Sequence, residues 1–297
     1  MRSALTGPRS LAADLVSVFK LRIGVVITAS ALGGVAVTPG SSPEAHRVVL
    51  LALAVFLASA ASGAFNQLWE RGLDARMRRT ARRPFVAGRL RAGPLWYVSI
   101  LLLLIAGGGL AAAAANPWAA GYTLAGALTY ALVYTVWLKP RTWLNIVVGG
   151  LAGSFAVLAG AAAVDPHLAP EPVLLAIVLF LWTPPHFWAL AMAAKEDYAR
   201  CGVPMLPVVM GDAVCAKIVF AHALALSAIA LLPALFSMGG VYLVAALLGG
   251  VWFSWKCWLL VREPTKKNAI RAFLASLSQL SLLLAGAVAD RLLSGIG

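Results

Sequence analysis

Residues 48–65 read VVLLALAVFLASAASGAF, and residues 66–91 continue as NQLWERGLDARMRRTARRPFVAGRLR. The first run is apolar and long enough to cross hydrocarbon as a helix. The second opens with Asn66, Glu70 and Asp74 at spacings of four. Each step of four turns a helix by about 400°, so the three side chains share one face over roughly 12 Å. Eight arginines follow: Arg71, Arg76, Arg78, Arg79, Arg82, Arg83, Arg89 and Arg91. Carboxylates and an amide are hard oxygen ligands suited to Mg²⁺. Arginines beside them suit phosphate oxygens. The stretch therefore reads as a membrane helix whose mouth holds a metal-bound diphosphate.

The rest of the chain agrees with a membrane setting. Of 297 residues, 61% are hydrophobic and 12% charged, about half the charge of a soluble domain. The mean hydropathy is +0.87. Nine apolar runs stand out: 23–37, 48–69, 94–115, 118–138, 143–164, 173–194, 216–236, 241–260 and 269–293. The fold expected is all-α and integral to the membrane, since open strands leave backbone groups unpaired in lipid. One transmembrane domain, 23–293, is expected between an N-terminal tail, 1–22, and a C-terminal tail, 294–297. The first run is short enough to resemble a signal-peptide core, but no convincing small-residue cleavage site follows it.

The net charge of +13 is a weak pointer to nucleic acid, because topology accounts for it. With nine spans and the N-terminus in the cytoplasm, 22 of the 24 Lys and Arg lie on the cytoplasmic side. Only Arg47 and Arg291 fall on the other. The site is then expected to open toward the cytoplasm, on loops 66–93 and 195–215. Small residues such as Gly149, Gly150, Gly153, Ala156 and Gly160 fit close helix packing in lipid. Most tryptophans sit near span ends, as an aromatic belt requires. Three cysteines without metal-like spacing, and four scattered histidines, give neither a disulfide framework nor a His-rich metal site.

A second polar segment follows the sixth run, in LFLWTPPHFWALAMAAKEDYARCGVPMLPVV. Pro184 and Pro185 are expected to break this helix. His186 lies next to them at membrane depth, where a polar ring needs a partner. It either bonds carbonyls freed by the prolines or touches a ligand. Lys195, Glu196, Asp197, Tyr198 and Arg200 form either a solvated loop or a second ligand set facing the first.

Asn66-x-x-x-Glu70-x-x-x-Asp74, with Met77-x-Arg79-Thr80-x-x-Arg83-Pro84, resembles the first signature of UbiA-type intramembrane prenyltransferases. Trp182 to Trp188 (WTPPHFW), and Asp197-Tyr198-x-x-x-Gly202-Val203-Pro204-Met205-Leu206-Pro207, are similar to the branch of that family that forms heme O. Two departures are visible. Glu70 replaces the usual middle aspartate, and Glu196-Asp197-Tyr198 replaces the spaced aspartates of the wider family.

The resemblance implies farnesyl transfer from farnesyl diphosphate to a vinyl group of heme b. It implies two Mg²⁺ ions, held by Asn66, Glu70 and Asp74 on one side and by Asp197 and Glu196 on the other. Arg79, Arg83, Lys139, Lys195, Tyr198 and Arg200 become candidates for the diphosphate, and His186 for heme. The lipid bilayer and heme-handling membrane enzymes are the implied partners, in a bacterial cytoplasmic membrane. Two alternatives stay open: another acceptor, such as a quinone precursor or chlorophyllide, and a cation-coupled transporter.

Overall fold

The computed structural model describes residues 10–41 and 43–294. Arg2, Arg9 and positions 295–297 of the expected tails lie outside the described residues. The described chain is helical and contains no strand. Helices α1 (Leu11–Val18) and α2 (Leu21–Val37) meet at a bend of 47°. After them come α3 (Ala45–Trp69), the single turn α4 (Arg71–Asp74), α5 (Pro94–Ala114) and α6 (Pro117–Leu128). α6 runs into a π-helical segment, Thr129–Leu138. Then follow α7 (Asn145–Gly149), α8 (Leu151–Val164), α9 (Pro170–Ala193), α10 (Lys195–Arg200) and α11 (Leu206–Met210). The chain ends with α12 (Asp212–Ile229), a 3₁₀ turn (Leu232–Leu235), α13 (Gly240–Arg262) and α14 (Lys266–Leu293).

Eight stretches are long and apolar enough to cross a membrane, and the bent α1–α2 pair makes nine if it counts as one span. Punctuation in the sequence explains their starts. Pro94, Pro117 and Pro170 each open a helix, where the missing N–H has no intrahelical acceptor to lose. The tight turn between α5 and α6 works because the Asn116 side chain accepts the Ala119 N–H at 2.9 Å. Its amide also donates to the Ala162 carbonyl at 2.6 Å.

Small residues set the closest crossing. A Cβ on Gly34 of α2 would overlap the Val157 backbone of α8, and one on Gly160 would overlap Ala31. Backbones pressed together this way gain dispersion energy that lipid-facing Leu cannot supply. Outward faces stay apolar, with Leu101, Leu102 and Ile105 on α5 and Leu247, Leu248 and Val251 on α13 exposed. Trp69, Trp118 and Trp137 are also exposed near helix ends, as a belt requires.

Three features depart from expectation. Part of the basic tail is the ordered helix α1, with Asp14 and Val18 buried. α9 runs unbroken through Pro184 and Pro185. Its neighbours α8, α12 and α14 hold it in shape, and the Thr183 hydroxyl donates to the Leu179 carbonyl at 3.0 Å, one of the acceptors near the prolines. Tertiary contacts of this kind keep proline-bearing helices intact in membranes. The fifth run, by contrast, breaks at Gly150 into α7 and α8.

Candidate active site

The first polar row is built where α3 hands over to α4. The Glu70 N–H bonds the Asn66 carbonyl at 2.9 Å, and the Asp74 N–H bonds the Glu70 carbonyl at 2.8 Å. The helical register thus survives the junction, and Asn66, Glu70 and Asp74 remain on one side. All three are buried, at 1%, 6% and 2% exposure. Burying such groups unpaired is costly, and each has a cationic partner, two from distant parts of the chain and one from the loop that follows. Lys20 Nζ donates to Asn66 Oδ1 at 2.5 Å. Lys139 Nζ donates to both Glu70 oxygens, at 2.5 and 2.6 Å. Arg83 Nη1 donates to Asp74 Oδ2 at 2.6 Å.

The arginine-rich loop is fastened from both ends. Thr80 Oγ1 donates to the Asp74 carbonyl at 2.9 Å, folding the loop back over its start. Arg89 forms a two-pronged pair with Asp14 of α1, at 2.8 and 2.9 Å. That carboxylate raises the Arg89 pKa above its ordinary value.

The π-helical segment supplies the facing wall. Five residues of α-helix turn about 500°, which puts i and i+5 some 140° apart. A π register, with i→i+5 bonds, puts them in line. Thr135 Oγ1 accordingly donates to the Tyr130 carbonyl at 2.8 Å and accepts from Asn66 Nδ2 at 2.8 Å. Tyr130 and Tyr134 stack with centroids 5.5 Å apart. Lys20 Nζ reaches the Tyr130 hydroxyl at 2.8 Å, and Lys139 lies 5.7 Å from the Tyr134 centroid.

Sequence reasoning missed Lys20, Tyr130, Tyr134 and Thr135. Lys20 looked like one more topology charge. It sits at the α1–α2 elbow in the left-handed region, φ +49. A side chain at Gly63 would crowd this elbow. Below the ammonium, an apolar cavity of about 80 Å³ runs between Ile23, Ile27, Val55, Gly126 and Ala156.

The second polar segment is looser. Tyr198 is buried and its hydroxyl accepts from Arg79 Nη2 at 3.3 Å, which ties α10 to the first motif's loop. Asp197 pairs with Arg200 one turn away. Lys195 Nζ lies 3.1 Å from Asp212. Glu196 is exposed. The following Gly-Val-Pro-Met-Leu-Pro run is structural. Gly202 takes φ +67, and Val203, Met205 and Leu206 are buried.

Among the described residues, no three Asp, Glu, His or Cys side chains gather into one metal-ligand cluster. Mg²⁺ does not need such a cage, because it is usually held by one or two carboxylates plus water and substrate phosphates. The buried oxygen row of Asn66, Glu70 and Asp74, ringed by cations, fits a metal–diphosphate pair.

His186 is not bonded to a carbonyl freed by the prolines. Its Nδ1 lies 2.7 Å from Ser276 Oγ. Its ring stacks between Trp182, at 4.2 Å, and Phe273, at 4.5 Å. Trp182 Nε1 donates to the Ser276 carbonyl at 2.9 Å.

Comparison with known proteins places the chain in a family. The model of the UbiA prenyltransferase family matches residues 26–281. Protoheme IX farnesyltransferase 2 of Paramagnetospirillum magneticum is 55% identical over 281 residues, covering 95% of this chain and 98% of that protein. Protoheme IX farnesyltransferase 1 of the same organism is 44% identical, covering 93% and 97%. The solved structure of a UbiA homolog from Archaeoglobus fulgidus bound to DMAPP and Mg²⁺ superposes with a TM-score of 0.71. It is 14% identical, over 91% of this chain and 99% of that one, so the likeness is one of fold. The chain belongs to the UbiA prenyltransferase family, among its protoheme IX farnesyltransferases.

Proposed function

We propose that the protein transfers the farnesyl group of farnesyl diphosphate to a vinyl group of heme b, giving heme O and diphosphate. The observation that carries the chemistry is the buried row of Asn66, Glu70 and Asp74, each bonded to a cation from elsewhere in the chain. Asn66, Glu70 and Asp74 hold Mg²⁺ on one side, and Asp197 with Glu196 on the other, for two ions in all. The metal supplies neutralising charge for the diphosphate. Arg79, Arg83, Lys139, Lys195 and Arg200, with the Tyr198 hydroxyl, hold the phosphate oxygens as the allylic C–O bond breaks. Tyr130 and Tyr134 present ring faces to the farnesyl cation, and the apolar walls below Lys20 exclude water from it.

The vinyl carbon then attacks the cation and forms the new C–C bond. Water bonds the carbon left electron-poor and releases a proton, leaving a hydroxyethylfarnesyl chain. No side chain has to act as nucleophile. His186 faces the porphyrin through Nε2, its nitrogen without a partner among the described residues.

The positive-inside bias supports nine spans, an N-terminus in the cytoplasm and a site opening there, in the cytoplasmic membrane of a bacterium. On this reading 23–293 is one transmembrane domain, between tails 1–22 and 294–297. Heme-handling membrane enzymes deliver the substrate or take the product.

The test is incubation of purified protein with farnesyl diphosphate, Mg²⁺ and heme b, with products identified by mass. Heme O is the expected product. Unchanged heme, alongside prenylation of a quinone precursor or chlorophyllide, would overturn the assignment of the acceptor.

A further inference from the structure

A second cavity lies on the same face as the two polar segments and shares no lining residue with the apolar one beneath Lys20. It measures about 630 Å³, within the range of small-molecule sites. Its rim comes from the arginine-rich loop, from α10 and from the α13–α14 connection at Pro264 and Thr265. Its floor is Met192 to Ala194, the end of α9.

The charges around it do not cancel. Arg78, Arg79, Lys195, Arg200 and Lys266 face Glu196, Asp197 and Asp212. Asp197 is taken by Arg200, and Asp212 by Lys195. Arg79 is bonded to the Tyr198 hydroxyl. Arg78 and Lys266 have no acidic partner among the described residues, and neither belongs to the diphosphate set. They come from separate elements, Arg78 from the loop after α4 and Lys266 from the start of α14.

The basin's floor and its α14 border lead to the aromatic cluster. α9 carries His186 and Trp182 inward from Met192, and α14 carries Phe273 and Ser276 inward from Lys266. A broad aromatic ligand with two anionic arms on one edge matches this layout. Its arms pair with separate cations at the rim, and its body lies toward the apolar side. A linear isoprenoid diphosphate concentrates its charge at one point and does not.

We propose that this basin receives the acceptor's two carboxylate groups, with Arg78 and Lys266 as the cations that recognise them. The proposal rests on the farnesyl-transfer reading above, because heme b is the dicarboxylate that reading supplies. Heme is thereby held by its edge at Arg78 and Lys266, beside the Arg79, Lys195 and Arg200 that face the diphosphate in the same basin.

The experiment uses the full chain in phosphatidylcholine nanodiscs, titrated by absorbance with heme b and with heme dimethyl ester, which lacks both charges. Wild-type protein is expected to prefer heme b by about fivefold per cation, the worth of an exposed pair near 1 kcal/mol. Arg78→Ala with Lys266→Ala should remove the preference and leave the KM for farnesyl diphosphate unchanged. Lys266→Arg should keep it. Equal affinity of wild type for acid and ester would overturn the proposal. So would a raised KM for farnesyl diphosphate with the heme preference intact, which would assign the basin to phosphate. Repeating the titration with phosphatidylglycerol in the discs separates lipid phosphate from heme. Loss of the preference there would mean that the rim binds lipid headgroups, and the proposal would fall. Absence of farnesylated heme in the same preparations, with the preference retained, would count against the reaction and for the basin.

Discussion

The two polar segments differ in how they are held. The first, at the α3–α4 junction, is buried and braced from three directions, by Lys20, Lys139 and Arg83. The second, on α10, is more open, and Asp197 takes its partner from its own short helix. Preorganised charge in a dry site is worth far more than the same charge near water. On the proposed reading the first segment therefore carries most of the electrostatic work.

Asp74→Asn should break this contrast most severely. Turnover is expected to fall by about 10²–10³-fold, with a smaller stability loss than for Lys139→Met, because asparagine keeps the shape and an acceptor for the partly exposed Arg83. Activity near wild type would remove Asp74 from the metal set. Lys139→Met comes next, because it strands a buried Glu70 carboxylate. Stability should drop by about 3 kcal/mol, read from thermal melting in detergent. Adding Glu70→Gln should restore much of it, since the uncompensated charge is then gone.

Asp197→Asn sharpens the comparison from the other side. About a tenfold loss of turnover, through weaker Mg²⁺ dependence, should come with a stability change within about 0.5 kcal/mol. A loss as large as that of Asp74→Asn would make the two segments equal partners. The smallest effect concerns Cys201, beside α10. Burial raises its thiol pKa, so the protonated form persists to higher pH than in a free cysteine. Alkylation by iodoacetamide should run about threefold slower than for an exposed thiol at neutral pH and quicken as pH rises. Rapid labelling at pH 7 would mean that α10 opens readily.

Much of this was legible in the residues. Apolar runs between prolines mark the spans, since both signals are local. A four-residue spacing fixes the face of Asn66, Glu70 and Asp74, and the helical register does persist through Glu70. What the sequence hides is which cation meets which oxygen. Lys139 and Glu70 are 69 positions apart, and nothing local pairs them. Lys20 precedes an apolar run as any topology charge does. Pro184 and Pro185 signal a break that packing overrides. The register of Thr129–Leu138 is equally invisible, because its composition is ordinary for an α-helix.

That register carries a genetic consequence. Tyr134 and Lys139, like Tyr130 and Thr135, line up only while the segment keeps its wide turn. Substitutions spread along it would each spare most of the wall. Tightening the segment to an α register at its present length would swing the lysine about 140° away from Tyr134. The same tightening with one codon lost between them would put the lysine four positions on and keep it on the same face. The wide turn thus amounts to one extra residue in the wall, and a matched deletion is the change this segment absorbs best.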